Sequence, residues 1–213
     1  MSNNSHGPWP ELPTAAWRDT YATVQLWTQI VGKIRLTKSP WLNHSWHVAL
    51  YVTPRGLTTS PVPDGARTFQ IDFDFIDHRL HISTSDGTHR HFALPGHSVA
   101  SFYAAVMAAL AELGIAVRID EMPNELPDPI RFSEDNIHAS YDPDAVGRLL
   151  QILVNCDRVQ AVPHRLPRQG QPGAFLLGQF RSRGDALLGP ARTAPSRRRA
   201  QFARYGSLRS LFA

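Results

Sequence analysis

The chain has little cysteine and no long apolar run, and both absences narrow the classes of protein it can belong to. Cys156 is the only cysteine among 213 residues, so no internal disulfide can form, and its apolar surroundings favour a buried, unreactive thiol. No stretch of 18 apolar residues is present, which argues against a membrane-spanning helix. The first residues, MSNNSHGPWPELP, lack the basic and apolar segments of a secretion signal, so we expect a cytoplasmic location.

Several chemical signatures are also missing. The sequence has no HExxH, no CxxC and no paired Cys/His array, which are common patterns of zinc sites. It has no GxGxxG or GxxxxGK[ST] loop for binding phosphates, and no GxSxG elbow surrounds Ser140. The patterns of nucleotide-binding proteins, zinc proteases and serine hydrolases are therefore not met.

Acidic residues are almost absent from the last quarter of the chain. Residues 1–157 hold 11 Lys and Arg against 17 Asp and Glu, whereas residues 158–213 hold 11 Arg, no Lys and one acid, Asp185. A basic arm can bind nucleic acid through Arg197-Arg198-Arg199, because phosphate contacts require only cations. The rest of the chain shows no basic face to support such a role, so no specific nucleic-acid partner is expected.

The apolar periodicity predicts a single α+β domain over residues 8–158. Helical spacing predicts helices at 14–38, 98–113 and 142–157, the first capped by Thr14 and the last by Asp142. An antiparallel meander is predicted from strands at 46–53, 57–60, 68–76, 78–84 and 89–94, with turns at 61–65, 77–78 and 85–88 and a short strand at 115–119. The fold class is therefore an antiparallel β-meander packed with about three helices, followed by a disordered tail at 159–213.

The domain resembles an uncharacterised bacterial protein family in four stretches. These are WPELPTAAWRDTYATVQLWTQIVGKIRL at 9–36, NHSWHVALYVTPRGLTTSPVP at 43–63, FQIDFDFIDHRLHISTSDG at 69–87 and HASYDP at 138–143. The resemblance covers residues 8–158 without a gap. The family is one of unknown function, so the resemblance implies kinship and no particular activity.

Beyond Arg158 the resemblance ends, and a shift of the reading frame accounts for the change. Related chains continue with a sequence similar to KQFRTGFLGKASPVHFFWGSFDLAVTRFS. Permitted codons for residues 160–189 of this chain encode that sequence when they are read one base later. We therefore infer an insertion or deletion near codons 158–160. It predicts that the Arg-, Pro- and Gly-rich tail is accidental and that the domain is truncated relative to the family.

Paired carboxylates on the predicted strand at 68–76 form the first candidate site. Asp72 and Asp74 share one face of the strand about 7 Å apart, and such a pair can hold a divalent cation or divide acid and base roles. The solvated face of a sheet has the same pattern. His78 follows at the next corner, and antiparallel partner strands bring Tyr51 and Arg55 within reach.

Two other groups of polar residues are weaker candidates. His138 and Tyr141 lie in the loop before the third helix, where they can form the rim of a pocket, although capping by Asp142 alone explains the segment. His44 and His47 lie three residues apart and form a candidate metal-binding pair. The alternative for that pair is a polar loop with one hydrogen-bonded histidine.

Two functions follow from these groups. The first is a small-molecule or metal-binding module with a polar pocket near the strand of Asp72 and Asp74, for which the ligand-binding candidates are Tyr51, Arg55 and Tyr141. The second is a metal-assisted or acid–base enzyme of the hydrolase kind, inactive here if the C-terminal segment is required. Its catalytic candidates are Asp72, Asp74, His78 and His138. A divalent metal is the cofactor that such carboxylates can bind.

Overall fold

The structure is a computed structural model that describes residues 9–161 and 174–175. Three α-helices and seven strands are present in these residues, with one 3-10 helix before the first strand. The helices are α1 (Thr14–Lys38), α2 (Val99–Glu112) and α3 (Pro143–Ala161), and the 3-10 helix is Asn43–Val48. The strands are β1 (Leu50–Thr53), β2 (Gly56–Thr58), β3 (Val62–Asp64), β4 (Arg67–Asp74), β5 (Arg79–Thr84), β6 (His89–Ala93) and β7 (Ala174–Phe175).

The three predicted helices are confirmed, and the structure shows side-chain caps on two of them, of which the Asp142 cap is the one predicted. The Ser98 hydroxyl accepts a hydrogen bond from the N–H of Ser101 at the start of α2, and the Asp142 carboxylate accepts from the N–H of Asp144 at the start of α3. Thr14 is not an N-cap: α1 begins directly after Pro13, and no side chain caps it. Proline fits the first helical turn or the position before it because that turn leaves N–H groups unpaired.

All strand pairs are antiparallel, in the spatial order β6-β5-β4-β2-β1-β7, and β3 pairs separately with β4. The predicted turn at 61–65 is wrong in part, because Val62–Asp64 is the strand β3. Two prolines in this segment resemble a turn, but Pro63 lies directly across from Thr68 in a three-residue strand. Such a short strand beside a sheet tolerates the missing N–H of a proline.

The hydrophobic core lies between the three helices and one face of the sheet, which we call the inner face. Phe69, Ile71 and Phe73 of β4 are buried on it, as the period-two alternation predicts. The ring of Phe102 in α2 stacks on Trp27 of α1 with 4.7 Å between centroids, and on Phe73 at 6.0 Å. The opposite face, the outer face, carries the polar side chains of β4 and its neighbours.

Two of the predicted strands need correction. The strand expected at 46–53 begins only at Leu50, because residues 43–48 form the 3-10 helix despite their aromatic and β-branched content. Residues 115–119 belong to no strand. Ile115 and Ile119 are buried there by packing, and this gives the same apolar alternation as a strand without a hydrogen-bonded ladder.

The described part of the chain contains no helix that is both long enough and apolar enough to cross a membrane. Cys156 lies half-buried in α3.

Two parts of the segment predicted as a tail, residues 159–213, belong to described elements. The helix α3 continues to Ala161, and β7 pairs with Leu50 and Tyr51 of β1. The remaining tail residues lie outside the described residues, so the disorder of the tail and the shifted reading frame stay predictions.

Candidate functional site

A depression of about 530 Å³ lies on the outer face of the sheet. The end of β1, the turn that follows it, and the strands β4 and β5 supply its walls. Both carboxylates that the sequence singles out belong to it. Its lining residues are Thr53, Pro54, Arg55, Gln70, Asp72, Phe73, Asp74 and His81.

Asp72 is the carboxylate of this depression that is available to a ligand. It lies directly across from Thr58 of β2 and from His81 of β5. The side-chain amide of Gln70 donates to both carboxylate oxygens at 2.9 Å and so fixes their orientation. No salt bridge of the described residues includes Asp72. The Asp72 carboxylate is therefore oriented by Gln70, and no cation in the described part of the chain neutralises it.

Asp74 has a different task, since its oxygens hold the corner after β4. One oxygen accepts the N–H groups of Ile76 and Asp77 at 2.9 Å, and the other accepts Nε of Arg55 at 2.6 Å. Burial alone would raise the pKa of Asp74, but these hydrogen bonds outweigh it, so the pKa lies below its usual range. A second nitrogen of Arg55 binds Asp77 at 2.6 Å. Asp74 is thus a paired, structural carboxylate at the edge of the depression.

The corner continues into a contact between His78 and Tyr141. Nδ1 of His78 lies 3.0 Å from the phenol oxygen of Tyr141, whose ring also stacks on Trp27. Burial, together with the charge of Asp74, raises the pKa of Tyr141, so the phenol stays protonated. The backbone of His78 has a φ of 51°, a left-handed conformation that a tight corner imposes. The structure therefore brings Asp74, His78 and Tyr141 together, whereas the sequence analysis places Tyr141 with His138 in a separate group.

His138 belongs to a different set of contacts. Its Nδ1 lies 2.7 Å from a carboxylate oxygen of Asp135, which is 1% exposed. The other oxygen of Asp135 accepts the N–H groups of Ile137 and His138 at 3.1 Å. Two N–H groups at the start of α2 donate to the carbonyls of Asp135 and His138 and anchor the loop. His138 is oriented by a buried carboxylate, but it does not line the depression.

Tyr51 and His47 do not line the depression. The guanidinium of Arg35 lies 5.1 Å from the ring centre of Tyr51. His47 is buried, and its Nδ1 accepts the N–H of Leu42 at 3.2 Å. Burial and the charge of Arg35 lower the pKa of His47, which keeps the imidazole neutral. The side chain of His44 lies outside the described residues.

No cluster of three or more His, Cys, Asp or Glu side chains within residues 9–161 is placed to hold a metal ion. Sequence reasoning also misses the other polar residues of the depression, which are Thr53, Gln70 and His81. Alternation along β5 places His81 on the face opposite Leu80 and Ile82. Its position across from Asp72 depends on the strand register, which the sequence does not specify.

One of the comparisons with known proteins gives a match, and the match is to a protein family. The model of a family of unknown function, DUF5996, matches residues 9–162. No curated protein and no solved structure shows significant similarity to the chain. The match includes all three helices and the first six strands of the sheet. It agrees with the resemblance to an uncharacterised family that the sequence shows. The chain belongs to this family of unknown function, DUF5996.

Proposed function

We propose that the protein is a binding module for a small polar molecule that carries a cationic group, and that the depression on the outer face is its site. The observation that carries the proposal is the state of Asp72. Its carboxylate is held by Gln70, lies across from His81, and is not neutralised by any cation among the described residues. A volume of about 530 Å³ is of the size that small-molecule sites have.

The charges of the lining select the kind of ligand. Arg55 and Asp74 form an ion pair at 2.6 Å, so their charges largely cancel. Asp72 then leaves the lining with a net negative charge. An ammonium group can donate to its oxygens with a charge-assisted hydrogen bond.

A second polar group in the lining favours a ligand that also carries hydroxyls or carbonyls. The hydroxyl oxygen of Thr53 accepts the backbone N–H of Gly56 at 3.0 Å. The hydroxyl proton is thereby directed away from that backbone group and can be donated to a ligand acceptor. An amino alcohol or an amino sugar combines an ammonium group with such acceptors.

Neutralising Asp72 tests this proposal. Ethanolamine, glucosamine and putrescine are titrated into the ¹⁵N-labelled protein and into Asp72→Asn, and amide shifts are followed by NMR. We expect shifts centred on Thr53, Gln70 and His81, and about tenfold to 100-fold weaker binding in Asp72→Asn, the loss of one charged hydrogen bond. The exposed Asp128 supplies the matched control, Asp128→Asn, which should bind as the parent does. Shifts elsewhere, or equal binding by Asp72→Asn, would contradict the proposal.

A second candidate function is the acid–base enzyme, and the pair of Asp135 and His138 favours it. A buried carboxylate that holds an imidazole at 2.7 Å is an arrangement that orients a general base. Hydrolysis of a chromogenic ester that is lost in His138→Gln would favour the enzyme over the binding module. A cytoplasmic location, supported by the single cysteine, is part of both proposals.

A further inference from the structure

Three histidines lie together on the outer face beside the depression. His81 of β5 lies directly across from His91 of β6, and their ring centroids are 5.7 Å apart. The ring of His89, two residues before His91, stacks on it at 6.4 Å. His89 and His91 are exposed and His81 is half-buried, so all three imidazoles can be reached from solvent.

We propose that His81 and His91 bind one divalent transition-metal ion of the zinc class. Imidazole nitrogens coordinate such ions at about 2.1 Å, and two rings on one tetrahedral ion have centroids about 5 Å apart. The observed separation of 5.7 Å is close to that value, and small side-chain rotations can close the difference. The antiparallel register supplies this spacing without any rearrangement of the backbone.

The neighbouring charges are compatible with a cation at this position. Asp72 lies across from His81 on its other side and contributes a negative charge, whereas the exposed Arg79 on the same face contributes a positive one. With two protein ligands, water completes the coordination, which agrees with the absence of any three-residue metal cluster among the described residues.

This inference does not rest on the proposed function. His91 does not line the depression, and the ion is measured without an organic ligand. The amine titration of the parent and the zinc titration of the parent can therefore fail independently of each other.

Zinc chloride titrated into the full chain by isothermal calorimetry at pH 7.5 tests the metal site. The variant is His91→Gln, which removes one imidazole from an exposed strand position. The matched control is His97→Gln, whose ring contacts Phe92 and the hydroxyl of Ser101 instead. We expect His91→Gln to weaken zinc binding about tenfold or more, since the second ligand no longer acts at high effective concentration. His97→Gln should bind as the parent does.

Imidazole ¹H–¹⁵N spectra locate the ion independently of any variant. Zinc should shift the ring resonances of His81 and His91, and lowering the pH to 5.5 should weaken binding because protonated imidazoles cannot coordinate. Equal affinity of His91→Gln and the parent, or ring shifts confined to other histidines, would overturn the proposal. No measurable zinc binding by the parent would overturn it as well.

Discussion

The corner held by Asp74 offers the most specific test of how this site is built. Its carboxylate makes two kinds of contact that two substitutions separate. Asp74→Ala removes both the acceptor of the two backbone N–H groups and the partner of Arg55. Asp74→Asn keeps one carbonyl oxygen for the N–H groups and loses the charge together with the oxygen that accepts Nε of Arg55. The two variants therefore measure the cap and the ion pair separately.

The magnitude follows from these contacts. Two backbone hydrogen bonds contribute about 1 kcal/mol each to the free energy of unfolding. The bond to Arg55 adds less than its length implies, because the side chain of Arg55 is 51% exposed and water screens the pair. We expect Asp74→Ala to lower the free energy of unfolding by about 2–3 kcal/mol. Asp74→Asn should lie between Asp74→Ala and the parent, and Arg55→Ala should cost less than Asp74→Ala.

Urea unfolding followed by circular dichroism measures these differences. Their pH dependence shows how the charge of Asp74 contributes to stability. Because the pKa of Asp74 is lowered by folding, its contribution is complete above about pH 4 and is lost as the pH falls through the folded-state pKa. The gap between the parent and Asp74→Asn should therefore narrow below about pH 4. If Arg55→Ala destabilised the protein as much as Asp74→Ala, the ion pair and not the backbone cap would hold the corner.

Two further predictions concern the sheet and the buried phenol. Gly56→Ala should lower the free energy of unfolding in urea by at least about 3 kcal/mol, because the added Cβ would overlap the carbonyl of Phe73. Gly147→Ala should be neutral or stabilising, because a Cβ at Gly147 meets nothing within 4 Å. Equal effects of the two would contradict this packing. Because folding raises the pKa of Tyr141, the protonated phenol contributes fully to the free energy of unfolding below about pH 10, and this contribution is lost as the pH rises further. Tyr141→Phe should therefore lose less stability than the parent in alkali. An ultraviolet titration that shows no late-ionising tyrosine would refute this reasoning.

Much of the fold could be predicted because the strongest patterns are local. α1 ends at Lys38, where a proline follows two residues later, and β4 alternates without exception over Phe69, Ile71 and Phe73. The errors occur where local pattern and tertiary context diverge. Residues 43–48 have strand-like composition but form a 3-10 helix, and a segment with two prolines pairs as β3 at the side of β4.

The site could be predicted only in part, because it depends on register. Asp74 and His78 are close in sequence at the corner after β4, whereas the contact of His78 with Tyr141 joins this corner to a loop 63 residues further along the chain. The row that joins Asp72 to His81 and His91 crosses three strands. A shift of one residue in either pairing would place these side chains on opposite faces, and no single strand records which register is used.

The two faces of β4 and β5 carry side chains of different kinds, apolar and buried on the inner face and polar on the outer face. Phe73 and Leu80 are buried in the core, while their chain neighbours Asp72 and His81 point to the other face and are only half-buried. Substitutions at the second pair can therefore change the chemistry of the surface at little cost to the interior. The outer face of such a protein can diverge by drift or by laboratory selection while its scaffold remains intact.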